Sequence, residues 1–224
     1  MTGTDGSSRG LPAGVTARPG GVGAVVIALM AAFAFGALDQ YLQVAIPVSH
    51  LGARQFLVQA SNGMSAPWLL VPFLAGAWQV SQRRAALVGL AATWLSALAY
   101  VLMIVSPMEG AHLTPRTFAF SLASQWPRFA GGLVTGPLYG TLGHRWRSRR
   151  SLAAALLAAL PVLLEPGGRW LATRLGLGNI PWIPFQWPLD GGGVTAEFAE
   201  LAVGLLLTCA AITLLARDRA TADA

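Results

Sequence analysis

Nine carboxylates are all the acidic chemistry in this 224-residue chain, and five of them fall where apolar segments begin or end. Asp39 closes the first apolar run, Glu109 the third and Glu165 the fifth, while Glu197 and Glu200 open the sixth. Four of the six runs therefore bring a carboxylate to one depth. Asp39 is the most pointed case. It continues an apolar helix through Leu38 and is followed by Gln40, Tyr41 and Gln43. An ionisable group at a membrane margin needs a partner or water, so it is a functional candidate by default. Glu197 and Glu200 are three apart and share a helix face. Their place in the first turns of a helix also suits the macrodipole, which is their structural use. If the five converge, like charges push some of them toward the protonated form. Such a group suits proton or cation coupling, or general-acid chemistry on a lipid-soluble substrate. Arg54, Arg116, Arg128, Arg169 and Arg174 are the counter-ions on offer, and salt bridges that lock loops are an equal use for them.

Other chemistry lacks its residues. The single cysteine, Cys209, lies in an apolar run and reads as a small buried hydrophobe. One cysteine allows no disulfide and no Cys-based metal site within a chain. His50, His112 and His144 fall on three separate loops, and no HxxxH or HExxH spacing occurs, so no metal site is expected. There is no Walker A loop, no GxSxG elbow and no DDxxD-type site. These absences argue against an ATPase, a serine hydrolase of the usual kind and a prenyl-diphosphate enzyme. No cofactor is implied.

The elements that would position the acids follow from composition. The chain is 54% hydrophobic and 11% charged, with a mean hydropathy of +0.57. A soluble domain carries about 25% charged residues. The expected fold is all-α, a polytopic membrane bundle of about six transmembrane helices with both termini cytoplasmic. Residues 1–20 read as a disordered cytoplasmic tail, 21–216 as the six-helix domain and 217–224 as a second tail. The apolar runs are 21–38, Met64–Val80, Ala85–Ser106, Phe129–Gly143, Ser151–Leu164 and Val194–Ala216. Runs four and five, at about 1.5 Å per residue, fall short of a hydrocarbon core of about 30 Å. Either flanking residues complete them, or the bilayer thins locally, or they are re-entrant arms.

The net charge is +6, and all 15 basic residues are arginine. Basicity alone would admit nucleic acid as a partner, but these arginines lie between apolar segments, so topology explains them and no nucleic acid is expected. With the N-terminus inside, ten arginines fall on the inner side and five on the outer. The inner clusters also suit anionic lipid headgroups, and a partner subunit or a homo-oligomer is open.

Local signals fill in the rest. Thr114-Pro115 is a cap followed by proline at a first helical position, and predicts a short interfacial helix over 115–125. Gly132, Gly136 and Gly140 recur every four residues, a helix-packing face. The second and third runs resemble the fourth and fifth: Pro72 to Gly76 (PFLAG) precedes Arg83-Arg84, and Pro137 to Gly140 (PLYG) precedes Arg149-Arg150. A parallel repeat predicts two similar hairpins about an axis along the membrane normal.

From Ser61 to Gly76 (SNGMSAPWLLVPFLAG), on through Arg83-Arg84 to Tyr100, and again at Gly136 to Gly143 (GPLYGTLG), the chain resembles a family of small multipass membrane proteins of unknown function from GC-rich bacteria. The likeness spans residues 25–215. It implies a bacterial inner-membrane protein and carries over no catalytic residues. In size and span count the chain is also similar to the substrate-binding components of energy-coupling-factor vitamin transporters. Those dock a partner through a small-residue helix face, here matched by Gly132, Gly136 and Gly140 but in the fourth run rather than the first. The expectation is a membrane protein that binds or moves a small solute through Asp39, Glu109, Glu165, Glu197 and Glu200. The alternatives are an acid-initiated cyclase acting on a lipophilic substrate and a non-catalytic scaffold or accessory subunit.

Overall fold

A computed structural model describes residues 21–45, 56, 66–107, 112–175, 198–206, 208–209, 212–213 and 216. Glu109 and Glu197 lie outside the described residues, as does the proline- and tryptophan-rich stretch at 180–188. All regular structure among the described residues is helical. The helices are α1 (Val22–Ala45), α2 (Ala66–Ala77), α3 (Gln82–Ile104), α4 (Pro115–Ser124), α5 (Trp126–Arg149) and α6 (Leu152–Arg174), followed by α7 over 198–206. Two segments, Val22–Leu42 and Gln82–Ile104, are long and apolar enough to cross a membrane.

The termini of these helices shift several sequence-based boundaries. Ser81, expected in a loop with Arg83 and Arg84, caps α3 by accepting a hydrogen bond from the Arg84 amide at 3.3 Å. The two arginines therefore belong to the first turn of α3. Both short runs lengthen through their flanks. At about 1.5 Å per residue, the 24 residues of α5 reach about 36 Å and the 23 of α6 about 35 Å. Each is a single continuous helix, the apolar part of α6 running over Leu152–Gly168. The stop expected at Glu165-Pro-Gly-Gly is absent, and α6 carries both Pro161 and Pro166 inside it. Arg150 closes α5 in the left-handed conformation, φ 47°, and Ser151 accepts from the Ala154 amide to start α6. Cys209 is exposed, not buried as its apolar setting suggested.

Helix α4 forms where Thr114-Pro115 predicts it. Thr114 and Thr117 make a reciprocal capping box, with Thr117 N donating to Thr114 Oγ1 at 3.1 Å and Thr114 N donating to Thr117 Oγ1 at 2.9 Å. Replacing Thr114 by alanine should cost about 1 kcal/mol of local helix stability. Faster amide exchange over 115–120, with unchanged exchange in α3, is the expected readout.

The interior is built of small residues. Among the described residues, nine of the fifteen buried hydrophobic ones are alanine, while leucine, isoleucine and phenylalanine side chains such as Ile27, Phe33, Leu87, Leu133, Leu157 and Leu206 face outward. Small side chains let backbones approach. Gly36 abuts the backbone of Ser96, joining α1 to α3, and Ser96 Oγ donates to the Ala32 carbonyl of α1 at 2.9 Å. Gly76 of α2 meets Gly140 of α5, and Gly143 meets the Phe73 carbonyl. Gly132, Gly136 and Gly140 all look onto α3: a methyl group at Gly136 would sit 2.8 Å from the Leu90 Cα. Gly131, on another face, has nothing within 4 Å.

These contacts set the directions of the helices. α1 and α3 run parallel, since Ala32 and Gly36 meet Ser96 while Ala32 packs with Val88 and Ala92 nearer the start of α3. α5 runs antiparallel to α3, with Gly132 at Thr93 and Gly140 at Ala85. α2 runs parallel to α5. The equivalent glycines of the proposed repeat, Gly76 and Gly140, do touch. However, α3 packs along α5 for much of its length whereas α6 meets α2 at only a few residues, so the two hairpins are not arranged symmetrically.

Candidate functional site

The directions above sort the charges. One end of the bundle, hereafter the basic end, gathers Arg83 and Arg84 from the start of α3 and Arg145, Arg147 and Arg149 from the close of α5. The other, the acidic end, holds Asp39 near the end of α1, Glu165 in α6 and Glu200 in α7. These three are the only candidate acids among the described residues.

Asp39 is 3% exposed and its neighbour Gln40 is also buried. Successive helical residues point about 100° apart, so α1 is enclosed on more than one side at this level. One turn earlier, on the Asp39 face, Phe35 meets Trp68 of α2 edge to face, ring centroids 5.4 Å apart. Trp68 in turn meets Tyr100 of α3 edge to face at 5.9 Å. Arg128 of α5 closes the group, its guanidinium carbon 4.1 Å from the centre of the Tyr100 ring and 5.0 Å from that of Trp68. Four helices thus each contribute one side chain to an aromatic and arginine cluster at the acidic end, with a buried carboxylate one turn beyond it. Guanidinium groups seated on aromatic faces away from water are worth about 2 kcal/mol, which fixes the geometry of α5 against α2 and α3.

Glu165 and Glu200 come from α6 and α7. Glu200 is 7% exposed and Glu165 is half-buried. Gly204 of α7 packs on Val162 and Leu163 of α6, so Glu200, one turn before Gly204, lies on the α6 side of the bundle. Asp39 lies on the α1, α2 and α3 side. No set of three or more His, Cys, Asp or Glu among the described residues could hold a metal ion.

Sequence reasoning named Arg128 only as one of five counter-ions and missed Phe35, Trp68 and Tyr100. A signal for part of this was present. Gly89, Thr93, Ser96 and Tyr100 recur every three or four residues in α3, a small and polar stripe in an otherwise apolar helix.

An all-helical bundle with small residues inside, two helices able to cross a membrane and a polar cluster at one end is the class these features define. The chain belongs to DUF6518, a family of unknown function, whose model matches residues 16–167. That match takes in Asp39, Trp68, Tyr100, Arg128 and Glu165 and stops short of Glu197 and Glu200. Neither the curated proteins nor the solved structures contain a match.

Proposed function

We propose that this protein is a six-span integral membrane protein, both ends cytoplasmic, that binds or moves a small solute at the Asp39–Arg128 end of the bundle. Support for the six spans comes from the inverted packing. Alanine and glycine fill the interior, while large apolar side chains point outward all around the helices. That is the pattern of helices associating in lipid, where close backbone packing replaces hydrophobic burial. It also accounts for α1 as a retained span and not a removable leader, since Ala32 and Gly36 are part of the core. The arginine-rich end then faces the cytoplasm by the positive-inside rule, as in a bacterial inner membrane.

The observation that carries the solute reading is Asp39, a buried carboxylate in lipid-embedded helix, beside an aromatic and arginine cluster drawn from four helices. Buried ionisable groups at membrane depth are expensive and are kept for ligands, ions or protons. A carboxylate and a guanidinium in one cluster suit a small solute bearing both charges, with Trp68 and Tyr100 to cover its apolar part.

The cyclase alternative draws on the same aromatic walls and single acid. Arg128 weighs against it. The faces of Trp68 and Tyr100 that would stabilise a carbocation are already covered by the guanidinium.

The test is a thermal-unfolding screen of the purified full chain in detergent against amino acids, amines, carboxylates and nucleosides. The expected result is one compound class that raises the wild-type midpoint and leaves that of a folded Asp39→Asn variant unmoved. Equal shifts in both proteins would remove Asp39 from the site.

A further inference from the structure

A recess among the described residues lies between α1 and α2. It is a groove of about 530 Å³ lined solely by apolar side chains, among them Ala28, Ala31, Phe35, Leu70, Leu74 and Trp78. It runs from Phe35 and Pro67, near the aromatic cluster, to Ala24 and Trp78 at the basic end. Eleven helical residues separate Ala24 from Phe35, about 16 Å, which is roughly half the hydrocarbon thickness of a bilayer. A groove of this length and lining matches the acyl chain of one leaflet.

The basic end of this groove is built differently from its walls. Trp78 stands at the mouth, 46% exposed, and the Arg147 guanidinium lies on its ring, 4.5 Å from the centroid. His144 Nδ1–H donates to the Gln79 carbonyl at 2.9 Å, tying the close of α5 to the close of α2 and holding the two aromatic and cationic groups in register. Among the described residues, no acid or carbonyl takes the N–H donors of Arg147, and no acid lies at this end. A guanidinium oriented by a ring, with its donor edge unfilled, is a fitting host for phosphate. Next to Trp78, the Gln79 side chain is 4% exposed. Its Nε2 donates to Ala75, but its Oε1 is buried without a hydrogen-bond partner.

We propose that the α1–α2 groove binds an anionic phospholipid of the cytoplasmic leaflet, one acyl chain along the groove and its phosphate on Arg147. The charge of the basic end favours phosphatidylglycerol, whose phosphate leaves the headgroup with a net negative charge. The groove shares Phe35 with the aromatic cluster, but its charged end, at Arg147, lies at the opposite end of the bundle from Asp39.

Native mass spectrometry of the full chain, released from nanodiscs of equal phosphatidylglycerol and phosphatidylcholine, tests this. Wild type should retain phosphatidylglycerol in preference by about fivefold, the worth of one arginine near an anionic surface. Arg147→Ala should bring the preference close to unity, and Arg147→Gln serves if that variant does not fold. Arg145→Ala, which removes an exposed charge of the same cluster, should leave the preference in place. Ala31→Phe, filling the groove, should lower retention of both lipids. An unchanged preference in Arg147→Ala would overturn the proposal. So would competition by glycerol 3-phosphate with no effect of Ala31→Phe, which would mark a headgroup site without a chain. A dimer lost in Ala31→Phe would assign the groove to a second copy instead.

Discussion

Replacing Gly140 by alanine should destabilise the protein by about 3 kcal/mol, at the upper end of what overpacking costs in a core. Gly140 sits where three helices converge. A methyl group on it would run into the Ala85 carbonyl of α3, and a methyl group on Gly76 of α2 would run into the backbone of Gly140 itself. The obstacles are backbone atoms on both sides, so no side chain can swing aside. Relief requires α5 to move away from α3, and α5 carries its contact with α2 along. That movement would also disturb Arg128 on Trp68 and Tyr100, since both contacts are made by the same helices. Gly131→Ala supplies the control. It lies in the same helix with open space around it, and alanine should gain up to about 1 kcal/mol there from helix propensity. Thermal unfolding in detergent should therefore move in opposite directions for two identical substitutions nine residues apart. Gly76→Ala and Gly140→Ala combined should cost less than their sum, because the first substitution already opens the shared contact. Equal, small effects at Gly131 and Gly140 would mean that the helices do not approach as described.

How much of this was legible beforehand depends on how local each signal is. The Gly132, Gly136 and Gly140 spacing lies within one helix, and four-residue recurrence of a side chain without bulk already says that a backbone comes close. Thr114-Pro115 is equally local, because a cap bonds to the amide three residues on. The apolar runs showed where helices exist but set their ends poorly. Arg83, Arg84, Arg145 and Arg147 read as loop residues, yet long arginine side chains at helix termini can leave the backbone helical while the charge reaches outward. The sequence Glu165-Pro-Gly-Gly read as a stop, yet α6 continues through Pro161 and Pro166, since a proline can kink a helix and not end it. Asp39 was legible as an oddity, a charge continuing an apolar helix. Its surroundings were not. Phe35, Trp68, Tyr100 and Arg128 come from four segments, and each alone looks like an ordinary interfacial or lipid-facing residue. Only the relative register of the helices brings them together, and that register is set by glycine and alanine contacts elsewhere in the bundle.

Arg128 is where the second large effect should appear. Arg128→Ala removes a guanidinium from two aromatic faces and leaves a void between α2, α3 and α5. The expected loss is about 2 kcal/mol for the desolvated cation–π contacts alone. Lysine should restore little of it. A compact, strongly hydrated ammonium gives up more on leaving water than the weakly hydrated guanidinium that sits within reach of both Trp68 and Tyr100. The comparison with Asp39 then decides what the cluster is for. Asp39→Asn keeps the shape of the side chain and removes only its charge. If Asp39 and Arg128 serve one charge-balanced site, the two substitutions should not add. The double variant Asp39→Asn, Arg128→Gln should be more stable than the sum of the singles by about 1 kcal/mol or more, since neutralising one partner removes the penalty of burying the other. Additivity within about 0.5 kcal/mol would make them independent structural features. The same pair separates site from scaffold. In a scaffold the neutral double variant should recover everything the wild type does, because only folding is at stake. In a binding site it should recover stability and still fail to respond to the solute, because the charges that the solute would meet are gone.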